Sequence, residues 1–179
     1  NFRKMNHNNE NILQVKNLRV SLGTGAKMTN IVNNISFDVK RGETFVLLGE
    51  SGSGKSITAM SIMRLLPAAI KITAGEVLLN KNNLFQLPEN KMRKVRGAKI
   101  GMIFQEPQTS LNPVLTAGQQ ISETLRRHEN IPKKQCIKRS IELLDAVGIP
   151  EAKRRINEYP HQFSGGMKQR IMIAIALAG

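Results

Sequence analysis

The stretch GESGSGKS, Gly49 to Ser56, collects residue types that can do chemistry together. Gly49, Gly54, Lys55 and Ser56 satisfy the pattern G-x-x-x-x-G-K-[ST]. Glycines at Gly49, Gly52 and Gly54 let the backbone curl so that successive N–H groups point inward, and the start of a following helix adds its partial positive charge. The product is a cradle for an anion, phosphate above all. Lys55 brings a mobile positive charge to the outer phosphates, and the Ser56 hydroxyl is a hard oxygen ligand suited to magnesium. The candidate phosphate-binding run is therefore Gly49, Glu50, Ser51, Gly52, Ser53, Gly54, Lys55, Ser56 and Ile57. The turn alone shows neither which nucleotide binds nor what its energy drives.

Such a turn needs a strand before it and a helix after it. Thr44 to Leu48, TFVLL, is a continuous apolar run of the kind buried on both faces of a parallel sheet, and is predicted as that strand. Ala59, Ile62, Met63 and Leu66 fall at helical spacing, and Pro67 stops the pattern. Upstream, Ile12–Leu22 and Asn34–Val39 alternate as strands around the turn-rich Gly23–Asn30, which predicts an antiparallel pair. Downstream, Gly75–Asn80 and Ala98–Phe104 read as strands flanking a basic helical stretch, Glu89–Arg96. From Thr116 to Val147 two long helical patterns are separated by Pro132, with no strand between them. This marks a helical subdomain, set at about 114–160. The last segment opens on FSGGMKQ and continues as an apolar helix.

With 179 residues the chain suits one domain with subdomains, and 40% hydrophobic with 22% charged residues is the composition of a soluble globular protein. Its formal charge of +14 invites a nucleic-acid reading, yet aromatic residues that stack on bases make up only 4%. No nucleic-acid partner is expected; a solvated basic face, or attraction to anionic lipid heads beside a membrane partner, accounts for the same charge. The single cysteine, Cys136, can form no internal disulfide and has no partner at zinc-site spacing, which fits a reducing compartment. The apolar run Ile171–Ala178 is less than half the roughly 20 residues of a membrane-spanning helix, so it reads as buried. The Asn-rich start, 1–11, is expected to be disordered and lacks the apolar core of a secretory signal.

Two further stretches give the turn a family. IFQEP, Ile103–Pro107, places Gln105 directly after a predicted strand, and FSGGMKQR, Phe163–Arg170, resembles the signature peptide of ABC-type ATPases. The three motifs stand in that family's order. More narrowly, SLNP, Ser110–Pro113, and YPHQFSGGM resemble the ATP-binding subunits of bacterial importers for dipeptides, oligopeptides and related solutes such as glutathione. The resemblance implies an α/β fold: a P-loop NTPase core of the ABC ATPase type, an antiparallel β subdomain and an α-helical subdomain, with 12–179 a partial ATP-binding domain. It implies ATP and Mg2+ as ligands, Lys55 and Gln105 as catalytic groups, and Ser56 and Gln105 as metal-directed. It also implies that Ser164, Gly165, Gly166 and Met167 close on the γ-phosphate held by a second subunit in a head-to-tail dimer. Taken alone, Ser164 would be no more than a helix N-cap. Membrane permease subunits are the other implied partners, with the protein peripheral on the cytoplasmic side of the inner membrane. A soluble ABC ATPase acting on DNA or ribosomes, and a truncated product that only binds nucleotide, are the competing readings.

Several departures from the family pattern bear on these expectations. Leu22 stands near where relatives place an adenine-stacking ring, and Phe163 and Met167 replace the commoner Leu and Gln of the signature. In the family a strand after the signature helix ends in Asp-Glu, and a His follows; the sequence to Gly179 contains none of these. Asp145, which ends an apolar run in IELLDAVG, is rejected as a substitute because Ala146 follows and its surroundings are helical. The chain is therefore expected to hold nucleotide but to hydrolyse it feebly alone, with the C-terminal part of the core missing. A gap in the sheet would expose Ile171, Ile173, Ile175 and Leu177 and make the isolated piece poorly soluble.

Overall fold

In the first strand the apolar alternation slips once, and the slip has a backbone cause. The computed structural model describes residues 10–23, 28–128 and 131–179. β1 spans Asn11–Leu22, β2 Thr29–Lys40, β3 Ile70–Leu79 and β4 Asn82–Asn83. They form one antiparallel sheet in the order β2-β1-β3-β4, so β1 is paired on both edges. Val15 and Val20 are buried, but so is Leu18, which two-residue alternation would turn outward from Val15's face. The pairing with both neighbours shifts between these residues, and Asn17 takes a left-handed φ of 49°. Its amide leaves the ladder and donates to Ser36 Oγ at 2.8 Å. Gly75 on β3 faces this bulge; a Cβ there would lie 2.6 Å from the carbonyl oxygens of both Lys16 and Asn17.

The chain divides into two compact units, Asn1–Pro88 and Glu89–Gly179. In the first, the sheet packs with α1, Lys55–Met63, whose inward residues are Thr58, Ser61 and Met63. The predicted helix runs to Leu66, but Arg64 turns left-handed at φ 52° and caps it early. β2 begins earlier than expected, taking in Thr29 and Asn30 of the predicted turn; 24–27 of that turn lie outside the described residues. β3 likewise starts at Ile70 rather than Gly75. The expected loose start, 1–11, falls outside the described residues as far as position 9, while Asn11 already belongs to β1.

The second unit is helical: α2 Glu89–Val95, α3 Pro107–Ser110, α4 Ala117–His128, α5 Lys133–Ala146, α6 Ala152–Arg155 and α7 Gly165–Leu177. Ala117, Ile121 and Leu125 recur four apart on α4, and Cys136, Ser140 and Leu144 do so on α5, which lines each stripe along one helix face. α4 starts at a capping box: Thr116 Oγ1 accepts from Gln119 N–H at 3.2 Å, and Gln119 Oε1 accepts from Thr116 N–H at 2.8 Å. Gly118 sits so close to the 156 position that a Cβ would run into Ile156. Ile171, Met172 and Ala174 of α7 complete the core.

Two predicted strands do not pair. Thr44–Leu48 joins no ladder, and Leu48 is 86% exposed. An extended run becomes a strand only when a neighbour satisfies its amides, and among the described residues none does. Ala98–Phe104 makes only an isolated bridge, Arg96 to Ile100, because the backbone folds on itself there: Lys99 and Ile100 both donate to the Val95 carbonyl. The expected exposure of α7 is corrected likewise, since Ile171 is fully buried in the helical core while Leu177 remains 59% exposed. Leu144, fully buried in that core, gives a direct test. Leu144→Ala is expected to cost about 2–5 kcal/mol in urea unfolding of the second unit, against well under 1 kcal/mol for the exposed Val114→Ala.

Candidate functional site

The glycine turn closes on its own lysine. Lys55 Nζ donates to the carbonyl oxygens of Gly49 at 2.7 Å and Glu50 at 2.6 Å, and to Ser53 Oγ at 3.1 Å. Ser53 N–H also donates to the Glu50 carbonyl at 3.2 Å, which tightens the turn. Two glycines carry the curl, Gly52 at φ 82° and Gly54 at φ 88°, a region that costs an ordinary side chain about 1–2 kcal/mol. Around Gly54 space is short as well: a Cβ would stand 3.0 Å from the Ile31 carbonyl and 3.2 Å from Val32 Cγ2, both on β2. At Gly49 it would strike Ser53 Oγ at 2.5 Å.

Gly54 is also the N-cap of α1, and no side chain caps the helix. Its first amides therefore keep their donor capacity for a ligand, with the positive end of the helix dipole behind them. The Ser56 hydroxyl, one residue into the helix, is exposed and makes no hydrogen bond among the described residues. Thr58 anchors the junction from inside. Buried, it directs both its amide, at 2.8 Å, and its hydroxyl, at 3.0 Å, to the Gly54 carbonyl. Sequence reading missed Thr58; a Thr four residues after the last glycine, on the buried helix face, was the available signal. Together, an uncapped helix start and an ammonium fit a polyphosphate, and a free hydroxyl fits a hydrated magnesium ion.

In the second unit, Gln105 is exposed at a bend before α3. Ser110 Oγ donates to the Glu106 carbonyl at 2.7 Å, fastening α3 to that bend, and α3 packs on α7. At the start of α7, Ser164 is extended at φ −65°, ψ 162°, and its Oγ accepts from Met167 N–H at 3.4 Å. Ser164, Gly165 and Gly166 are exposed, and a Cβ at Gly166 would meet nothing within 4 Å. The Ser-Gly-Gly edge thus faces open space. Arg170, also missed by sequence reading, donates to the Gly148 carbonyl at 2.7 Å and ties α7 to the turn after α5. Asp145 lies within α5, where no strand end exists. Leu22 ends β1 half-exposed. Among the described residues no cluster of His, Cys, Asp or Glu could hold a metal ion, and no helix is long and apolar enough to cross a membrane.

The fold is that of the ATP-binding cassettes. The chain belongs to the ABC transporter family, whose model matches residues 32–179. It is 50% identical over 169 residues to the dipeptide transport ATP-binding protein DppD of Bacillus subtilis, covering 94% of this chain and 50% of that one. The oligopeptide transport ATP-binding protein OppD of the same organism is 47% identical, over 93% of this chain and 47% of its own. The chain thus spans about half the length of the curated relatives it matches. Among solved structures, the ATP-binding cassette MJ0796, a dimer in a post-hydrolysis state bound to ADP and Pi, superposes with a TM-score of 0.81 at 32% identity, covering 93% of this chain and 69% of that one.

The two strained glycines can be ranked. Gly54→Ala adds a contact with β2 to its positive φ, whereas Gly52→Ala has open space and only the positive φ. Gly54→Ala is expected to lower thermal stability more, and to weaken Mg-ATP binding about tenfold by calorimetry. The reverse order would show that β2 does not brace the turn.

Proposed function

We propose that this chain is the ATP-binding part of the motor subunit of a membrane importer for dipeptides, oligopeptides or similar solutes. The observation that carries the reading is the turn Gly49–Ser56, with two left-handed glycines, an uncapped helix start and the Lys55 ammonium at its centre. The likeness to peptide-transport ATP-binding proteins over nearly the whole chain supports the solute class. Glu50, Ser51 and Ile57 contribute amides to the phosphate run, Ser53 does so once its amide leaves the Glu50 carbonyl, and Lys55 exchanges its loop carbonyls for phosphate oxygens. Ser56 is the group of the first unit that would hold magnesium, which neutralises phosphate charge when bound; Gln105 is the metal-directed candidate of the second unit.

Ser164, Gly165, Gly166 and Met167 form the face that meets the nucleotide of a second subunit, which fits the exposure of the first three; Met167 is half-buried against the helical core. The MJ0796 cassette, itself solved as a dimer, supports that arrangement. Permease subunits are the other partners, and the protein works at the cytoplasmic face of the inner membrane as a peripheral component. Hydrolysis by these 179 residues is slow, because they contain no apolar strand ending in Asp-Glu to polarise the attacking water.

Lys55→Ala is expected to weaken Mg-ATP affinity at least about tenfold in a folded preparation, and unchanged affinity would remove the basis of the reading. Extending the chain by the strand and Asp-Glu that follow the signature helix in this family is expected to raise ATP turnover by about 100-fold or more. Equal turnover would overturn the account of the missing base.

A further inference from the structure

The basic run KMRKVRGAK, Lys91–Lys99, belongs neither to the phosphate turn nor to the Ser-Gly-Gly edge. Met92 and Val95 are buried and pin α2 to the second unit, so Lys91 and Lys94, three apart on the helix, share its solvent side. Beyond α2 the backbone folds back at once. The amides of Lys99 and Ile100 both donate to the Val95 carbonyl, at 2.9 Å and 3.1 Å, which keeps exposed Lys99 beside the last turn. Gly97, at φ 85°, lies under the end of α4: a Cβ there would run into the His128 imidazole. That contact brings exposed Arg126 and Arg127 to the same corner of the unit.

The charge of this corner is one-sided. The stretches 89–99 and 123–128 hold seven Lys and Arg against two Glu. Glu89 is already engaged, with Arg96 at 2.6 Å and Arg93 at 3.8 Å. Among the described residues Lys91, Lys94, Lys99 and Arg127 have no ion-pair partner. Glu123 alone cannot balance them. Like charges held together by packed elements repel, and a diffuse anionic surface relieves the repulsion without needing a shaped pocket. Neither stretch contains Phe, Tyr or Trp, so no such ring is offered to stack on nucleic-acid bases. Because α2 is packed down through Met92 and Val95, it does not project into a duplex groove as a recognition helix does. A surface read by charge alone remains, and the headgroup layer of an anionic bilayer is one.

We propose that the corner formed by α2, the Gly97 turn and the end of α4 rests on anionic phospholipid headgroups, which neutralise Lys91, Lys94, Lys99 and Arg127 without any side chain entering the hydrocarbon. That a bilayer is within reach rests on the importer reading; the demand for a diffuse anionic surface rests on these residues alone. The contact adds a lipid-borne tether to the one that permease subunits would supply, and it loosens as salt screens it.

Flotation of the full chain with liposomes, without nucleotide, reads this contact. Partition onto phosphatidylcholine vesicles with about one-third phosphatidylglycerol is expected to exceed that onto phosphatidylcholine alone at least about tenfold, and to fall away as salt rises from about 0.05 M to about 0.5 M. Lys91→Gln/Lys94→Gln/Lys99→Gln is expected to lower it at least about tenfold. The same charge loss in Lys40→Gln/Lys71→Gln/Lys134→Gln, exposed on other elements, is expected to lower it less than about twofold. Lys94→Gln alone is expected to lower it about threefold, which keeps the test decisive should the triple variant misfold. Equal partition onto the two kinds of vesicle, or equal losses from the two triple variants, would overturn the proposal. So would a short RNA or DNA duplex that binds more tightly than the vesicles and is lost in the same variant, or release by inorganic phosphate at constant ionic strength. Those results would assign the cations to nucleic acid or to a single free anion. A failed partition leaves the Lys55→Ala result standing, and failed nucleotide binding leaves the partition standing.

Discussion

The ammonium of Lys55, held by the Gly49 and Glu50 carbonyls and the Ser53 hydroxyl, is the interaction on which the first unit's chemistry turns. It gathers two carbonyls and a hydroxyl on one ammonium, and the loop is shaped before any ligand arrives. Such preorganisation matters because the ordering cost of a glycine-rich segment is otherwise met at the moment of binding. The remaining supports serve the same end: β2 closes on Gly54 from behind, and Thr58 fixes its carbonyl from within the helix. A sheet that looks remote from the chemistry is what makes glycine obligatory at the turn.

The second unit solves a different problem with one helix. α7 is apolar almost all round, and Ile171, Met172 and Ala174 bury it in the helical core. Yet its first turn is polar and bare, with Ser164 spending its hydroxyl on the Met167 amide rather than on another element. A rigid rod anchored at one end presents its other end with little freedom to deviate. The Arg170 bond to Gly148 adds a second anchor just behind that end, on the turn that closes α5. Packing and site are thus two ends of the same element.

What the letters revealed follows from how local each interaction is. Gly49 to Ser56 was readable because curl, charge and hydroxyl all sit in one short stretch. The helices α4 and α5 were readable because Ala117, Ile121 and Leu125, or Cys136, Ser140 and Leu144, repeat along one face. The bulge at Asn17 was not, since it exists only through Ser36 and Gly75, which the fold brings to it from far along the chain. Arg170 and Gly148 escaped for the same reason: a side chain reaching a distant carbonyl leaves no periodic trace. Thr44–Leu48 misled in the opposite sense. Its apolar letters call for burial on both sides, yet Phe45, Val46, Leu47 and Leu48 are exposed and no neighbour among the described residues pairs with the run.

That segment, with Phe45 stacked on Phe37 at 4.8 Å and the following residues open, has a row of amides and carbonyls without ladder partners among the described residues, beside exposed Val46 and Leu48. Amides in such a row exchange with solvent deuterium without waiting for the sheet to open. The same row is a template for any extended peptide that reaches it. Handling of the polypeptide becomes a race between chaperone capture of an apolar extended stretch, first order in the chain, and strand-to-strand association of two copies, second order. Dilution therefore favours the monomer, and crowding at high expression favours fibrous or amorphous aggregates.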